Sequence, residues 1–221
     1  MKRNYRYDPN PVNTHMLLLN EIAENTRVLE VGTASGYLGE YLIHEKKCEV
    51  WGVEPMRELY LDAESIGYTK LFNKTAEECI RDNDLKDQKF DYILLGDVLE
   101  HMTNPHAVMK SLREYLKPEG KCVISLPNVA HYSIRWALLR GKWDMTDSGI
   151  MDRTHFVFFT RKTMREMIEQ SGYEIVLDRP SAGYIERFLR RAAHVGRRVL
   201  FMFPELCAVQ FILTAKPKKD I

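Results

Sequence analysis

The sequence is short of several things, and each shortage removes a class of function. Its four cysteines, Cys48, Cys79, Cys122 and Cys207, form no C-x-x-C pair, so neither a thiolate zinc centre nor a dithiol redox motif is on offer. Buried free thiols, acting as small core residues, are expected instead. Charge of one sign is lacking too: 32 Lys plus Arg stand against 31 Asp plus Glu, for a net charge of +1. No global field therefore draws the chain to nucleic acid or to an anionic surface. The longest apolar stretch, Val199 to Ala215, is broken by Pro204, Glu205 and Gln210 and falls short of the roughly 20 residues that cross a bilayer. The N-terminal MKRNYRYDPNP carries no apolar core of a secretory signal,. With the unpaired cysteines, this leads us to expect a reducing, cytoplasmic setting. Internal repeats, low-complexity tracts and linkers are missing as well.

What is present is the alternation of an α/β protein. The 221 residues are 45% apolar and 29% charged, enough for the core of one globular domain and too few for two ordinary ones. Short β-branched or aromatic runs predict strands at Arg27 to Val31, Glu49 to Val53, Thr69 to Phe72, Phe90 to Leu95, Lys121 to Leu126, Tyr173 to Leu177 and Ala208 to Thr214,. Stretches of helical period separate them. Asn104-Pro105 reads as an N-cap with proline at the first helical position, with Val108, Leu112, Tyr115 and Leu116 on one face before Lys117-Pro118 stops the helix,. A second helix is expected from Arg161 to Ser171, ended by Gly172,. The pattern predicts a doubly wound, mainly parallel, seven-stranded sheet with helices on both faces. Two stretches, about 128–160 and 182–204, break the alternation and read as insertions into a single domain, where specificity commonly resides.

The segment VLEVGTASGYLG, Val28 to Gly39, is a buried strand running into a glycine-containing turn and then a helix. Gly32 and Gly36 let backbone N–H groups approach a ligand at the C-terminal edge of the sheet. Glu54 closes the second strand, where this architecture delivers a carboxylate to a ribose diol. A nicotinamide dinucleotide would use the same carboxylate, but its G-x-G-x-x-G turn needs glycines where this chain has Ala34 and Tyr37,. That spacing sets the dehydrogenase reading aside.

The succession VLEVGTASG, VEP, FDYILLGDVLEH and LKPEGKCVISLPN, spanning Arg27 to Asn128, resembles the Rossmann-like S-adenosylmethionine-dependent methyltransferase superfamily. The resemblance implies S-adenosylmethionine as cofactor and S-adenosylhomocysteine as product. It places Glu30 and Gly32 by the methionine amino group, with Thr33, Ala34 and Gly36 shaping the same turn. Glu54 would hold the ribose, Pro55 and Met56 flank the adenine, and Asp97, Val98 and Leu99 line the donor pocket. Ala34 stands where the family usually has a middle glycine, a departure of one methyl group. Thr75, Ala76 and Glu77 occupy the loop where the family often has an aspartate against the adenine amine.

Methyl transfer from a sulfonium is an in-line displacement, so the protein must chiefly hold acceptor, methyl and sulfur collinear in a dry pocket. A base is needed only for a protonated acceptor. The insertion after the fifth strand carries His131, Tyr132, Arg135, Trp136, Trp143 and the run DRTHFVFFT, Asp152 to Thr160. That run resembles a motif of bacterial methyltransferases encoded with glycosyltransferases. His155, with His131 as its competitor, is the expected catalytic residue, because imidazole alone in this run titrates near neutrality. Asp152 and Arg153 are expected to orient it or to grip an anionic group, and Phe156, Phe158 and Phe159 to exclude water or pack the core. Glu100-His101 resembles the corresponding pair of ubiquinone-pathway O-methyltransferases, some of which bind a divalent metal there. With no second acidic ligand in the sequence, no metal is expected, and His101 reads as a residue of the pocket mouth. The acceptor is a small molecule or a glycan, with hydroxyl chemistry favoured; a quinone-like phenol is the alternative. A nucleic-acid substrate lacks both an N-P-P-Y motif and a basic face, and a catalytically silent binding module stays open. The basic stretch 184–200, with Arg187, Arg190, Arg191, Arg197 and Arg198 among apolar residues, is expected either to pack its apolar side on the sheet or to rest on an anionic membrane.

Overall fold

The computed structural model describes residues 14–181 and 202–218. The basic stretch 184–200 lies outside the described residues. In chain order the elements are α1 (Thr14–Asn20), β1 (Arg27–Val31), α2 (Tyr37–His44), β2 (Glu49–Val53), α3 (Arg57–Glu64), β3 (Lys70–Phe72), α4 (Ala76–Arg81), β4 (Phe90–Gly96), α5 (Pro105–Leu112), β5 (Leu116–Pro127), α6 (Tyr132–Leu139), α7 (Arg161–Gln170), β6 (Tyr173–Ser181), α8 (Pro204–Cys207) and β7 (Gln210–Pro217). The strands form one seven-stranded sheet in the order β3-β2-β1-β4-β5-β7-β6. All neighbouring pairs are parallel except those of β7, which runs antiparallel to both β5 and β6. This is the doubly wound α/β fold the alternation predicts.

The alternating side chains of β1 show how the layers form. Leu29 and Val31 face one core with Val108, Met109 and Leu112 of α5 and Met164 and Ile168 of α7. Val28 faces the other, with Leu17 and Leu18 of α1 and Leu38 and Leu42 of α2, as the period of two requires. The chain winds outward from β1 to β3 on one side and from β4 on the other. The switch between β1 and β4 opens the crevice in which such sheets bind ligands.

Some boundaries differ from expectation. The fifth strand begins at Leu116, five residues before the expected Lys121, because Leu116 already pairs with Phe90 and a register shift before Tyr92 absorbs the Lys117-Pro118-Glu119-Gly120 segment. The helix expected to reach Leu116 ends at Leu112 and tightens into a 3-10 turn at Arg113–Tyr115. β6 runs on to Ser181, and β7 begins at Gln210 rather than Ala208, because the two pair along their full lengths. Cys48, Cys79, Cys122 and Cys207 are free thiols. Burial pushes the Cys79 and Cys122 thiols up to about 12, so they are inert at neutral pH.

Candidate active site

The glycine turn after β1 wraps onto the end of β2. Gly32 and Thr33 donate their N–H groups to Val53 O at 2.8 and 3.2 Å. Gly32, Ala34 and Gly36 all adopt left-handed φ, at 75°, 48° and 84°, which an L residue enters at a cost of about 1–2 kcal/mol. Ala34 therefore departs from the glycine pattern by backbone strain as well as by a methyl group. Gly36 caps α2, and a Cβ there would stand 2.9 Å from Ile66 Cγ1 and 3.2 Å from the Ala63 Cα.

Glu54 ties this turn to the next loop. Its Oε2 accepts from Ala34 N–H at 2.8 Å and its Oε1 from Met56 N–H at 2.9 Å. Each oxygen keeps a lone pair for a further donor. Burial raises the carboxyl above its ordinary value, and the two N–H groups work against that. Beside it, Met56 is 59% exposed, an apolar surface at the rim. The sequence reading missed Asn73, whose amide donates to the carbonyls of Glu54 and Pro55 at 2.9 and 3.1 Å. Thr75 is spent on a capping box with Glu78 at the start of α4, and Ala76 is buried. A ligand at that loop meets backbone and the outward-facing Glu77 rather than the Thr75 hydroxyl.

Other expected donor residues turn elsewhere. Glu30 lies on the α2 side of the sheet, 1% exposed, with Oε2 accepting from Tyr68 Oη at 2.7 Å and Oε1 without a partner among the described residues. Tyr68 reaches it because α2 has glycine at position 39, where a Cβ would come within 1.9 Å of Tyr68 Oη. Burial holds the Glu30 carboxyl far up, at about 8. Thr33 and Leu99 are fully buried. Leu99 belongs to the core under α5 and α7, whereas Asp97 and Val98 are only partly buried. Val98 packs on Gly32, where an added Cβ would stand 2.7 Å from its Cγ2. Asp97, with φ 53°, accepts from Ser125 Oγ at 2.5 Å and from Gln210 Nε2 at 2.7 Å, two partners that no motif announced.

On the other side of the crevice the insertion is stapled to the loop after β4. The N–H groups of Phe156 and Val157 donate to Glu100 O at 2.8 and 3.1 Å. This brings His155 to Glu100, with His155 Nε2 4.0 Å from Oε1, and sets its ring against His101 at 4.7 Å between centroids. Burial first, and His101 second, hold His155 below its ordinary value. Burial raises Glu100 well above the usual carboxylate range, with Asp97 and Asp152 adding to it. His131 does a different job: it caps α6, its Nδ1 accepting from Ser133 N–H. That leaves the proton on Nε2, which is buried without a partner among the described residues, so His131 offers a donor there and not a base. Asp152 accepts from the N–H and hydroxyl of Thr154 at 2.9 and 2.7 Å. Arg153 points outward to Asp147 at 2.8 Å. The Asp152 charge acts on His155 as well, working against the burial that lowers it. Phe159 is core and Phe156 is 68% exposed. Thr146 and Asp152 pair in an isolated bridge around the bend at 147–149, and α6 leaves Tyr132, Trp136 and Leu139 exposed.

Comparison with known proteins identifies the family and the fold. A family model described as a methyltransferase domain matches residues 3–177. A ubiquinone biosynthesis O-methyltransferase of Cereibacter sphaeroides is 28% identical over 161 residues, covering 69% of this chain and 62% of its own length. The 1,6-didemethyltoxoflavin-N1-methyltransferase of Burkholderia thailandensis, solved with S-adenosylhomocysteine, superposes with a TM-score of 0.60 at 15% identity over 95% of this chain and 78% of its own. The [4+2]-cyclase SpnF superposes with a TM-score of 0.63 at 14% identity, over 98% and 85%. At such identities the solved structures establish the fold, and the cyclase among them shows why the chemistry must be argued from the site.

Proposed function

This chain belongs to the methyltransferase domain family, in its Rossmann-like, S-adenosylmethionine-dependent form, and on that premise we propose that it transfers the methyl group of S-adenosylmethionine to a hydroxyl of a small-molecule or glycan acceptor. The observation that carries the reading is Glu54: a carboxylate at the C-terminal end of β2, beside the left-handed turn of Gly32 to Gly36, with both oxygens already oriented by backbone N–H groups. It is the acceptor for the two ribose hydroxyls. Ala34, Pro55 and Met56 border the adenosine, Thr75 to Glu77 its base edge, and Gly32, Asp97 and Val98 the methionine end, with Glu30 beneath.

In the reaction the acceptor oxygen forms a bond to the methyl carbon as the carbon–sulfur bond breaks; S-adenosylhomocysteine leaves and the acceptor loses its proton. The acceptor side is the wall of His155, Glu100 and His101, with the buried Nε2–H of His131 as a donor toward acceptor oxygens. His155 Nδ1 lies 3.2 Å from Ile150 O, and a carbonyl partner requires that nitrogen to carry the proton, so Nε2 presents the lone pair. The name of the Cereibacter sphaeroides relative supports oxygen as the methylated atom and makes a phenol the second class of acceptor to try. Transfer from methyl-labelled donor to panels of glycans and phenols tests the reading. His155→Gln is expected to keep donor affinity and to lower turnover by roughly 10²; wild-type turnover in that variant would remove His155 from the acceptor site.

A further inference from the structure

The Asp97 carboxylate is held from two sides. Ser125 Oγ donates to its Oδ1 at 2.5 Å and Gln210 Nε2 to its Oδ2 at 2.7 Å, while the Asp97 N–H returns a bond to Ser125 Oγ at 3.0 Å. Both side-chain donors are neutral, so they leave the charge of the carboxylate unmatched, and each oxygen keeps a lone pair. The Gln210 amide is fixed in turn. Its Oε1 accepts from the Thr14 hydroxyl at 2.6 Å, so the Thr14 oxygen is left to accept from Ser181 Oγ at 3.0 Å. Thr14, Ser125 and Ser181 are buried, where an unmet polar group is costly. The order of donors admits one orientation of the amide, because the flipped one would turn its oxygen onto the carboxylate.

The fold explains why a residue of β7 can do this. β7 runs antiparallel between β5 and β6, so its first residue, Gln210, stands opposite Pro127 at the end of β5 and Ser181 at the end of β6. That is the carboxyl edge of the parallel strands, where sheets of this kind bind ligands. Asp97 follows β4 on the same edge, beside the Val98 that packs on Gly32. S-adenosylmethionine carries an ammonium on its methionine half, and a carboxylate already turned and pinned meets it with little rotamer freedom left to lose. We infer that Gln210 is a positioning residue for donor binding: with Ser125 it holds the Asp97 carboxylate toward the ammonium of the methionine half. Thr14 secures Gln210 and so links α1 to the same pocket. No local pattern marks the set, since Gln210 lies 113 positions from Asp97 and 196 from Thr14. This role goes beyond the proposed function and presupposes that the crevice binds S-adenosylmethionine.

Calorimetric titration of the full chain with two probes tests it. S-adenosylhomocysteine carries the amino-acid half, whereas methylthioadenosine ends in a methyl group on the sulfur and lacks the ammonium. Gln210→Leu is expected to weaken S-adenosylhomocysteine about tenfold or more, the scale of a charge-assisted contact, and to change methylthioadenosine by less than about twofold. Thr14→Val, which removes one hydroxyl at nearly constant shape, is expected to act in the same sense but more weakly, by about threefold. In an Asp97→Asn background Gln210→Leu is expected to add no further loss, because the two residues act as one unit. Equal weakening of both probes, no weakening of either, or full additivity with Asp97→Asn would each overturn the positioning role. Thr14→Val and Ser125→Ala preserve the comparison of probes if Gln210→Leu fails to fold. A wild type that binds neither probe sinks the donor site itself; a wild type that binds both, with variants that do not separate them, sinks the role of Gln210 alone.

Discussion

Glu30 and Glu54 end adjacent strands of the sheet and behave differently because their surroundings differ. Glu54 is met by two N–H groups, while Glu30 has one phenol and an apolar enclosure. The Glu30 carboxyl rises from its ordinary 4.5 to about 8. Between those values the folded chain holds a proton that the unfolded chain has released, so stability falls as pH rises through that window and levels off above about 8. Glu30→Gln cannot ionise and is expected to remove this slope, gaining a few kcal/mol on the wild type between pH 5 and pH 8 at about 1.4 kcal/mol per pH unit. Urea unfolding at several pH values measures it, and parallel profiles for the two proteins would contradict the buried, protonated carboxyl. Glu54 was legible as a candidate from its place at a strand end, and Glu30 only through the family resemblance. Tyr68, Asn73, Ser125 and Gln210 were not, since each acts by a contact between segments distant in sequence.

Within elements, what the sequence announces best is chemistry local to a turn. The Asn104 cap, with Pro105 behind it, stands where it was read, its side chain accepting from Ala107 N–H at 3.0 Å. The strands β1 and β2 match residue for residue. Ends governed by pairing are less legible: β5 extends back across Pro118 and Gly120 because its partner β4 is there to pair with, which propensity alone argues against. The β1–α2 turn is the element on which the proposed donor binding depends. Gly36→Ala would force a Cβ into Ala63 and Ile66 at φ 84° and is expected to destabilise the protein by more than about 1 kcal/mol. Chemical denaturation checks this. An unchanged midpoint would mean that the turn does not need its left-handed residue.

At the scale of the molecule, the alternation of short strands and amphipathic helices was enough to give the sheet and its two covered faces, but not the strand order that sets β4 beside β1. It could not give the acceptor wall, because the insertion after β5 has no periodicity of its own and is placed by hydrogen bonds to Glu100 O and by the pairing of Asn128 with Phe159. Among the described residues no helix is long and apolar enough to cross a membrane. The account as a whole stands on the crevice being a site for S-adenosylmethionine, held at Glu54. Its most direct test is calorimetric titration of the full chain with S-adenosylhomocysteine, for the wild type and for Glu54→Ala. The account predicts one equivalent bound by the wild type and an affinity loss of roughly 1.5–3 kcal/mol in the folded variant, the range for hydrogen bonds to a charged group. No binding by the wild type, or equal affinity in the two proteins, would contradict it.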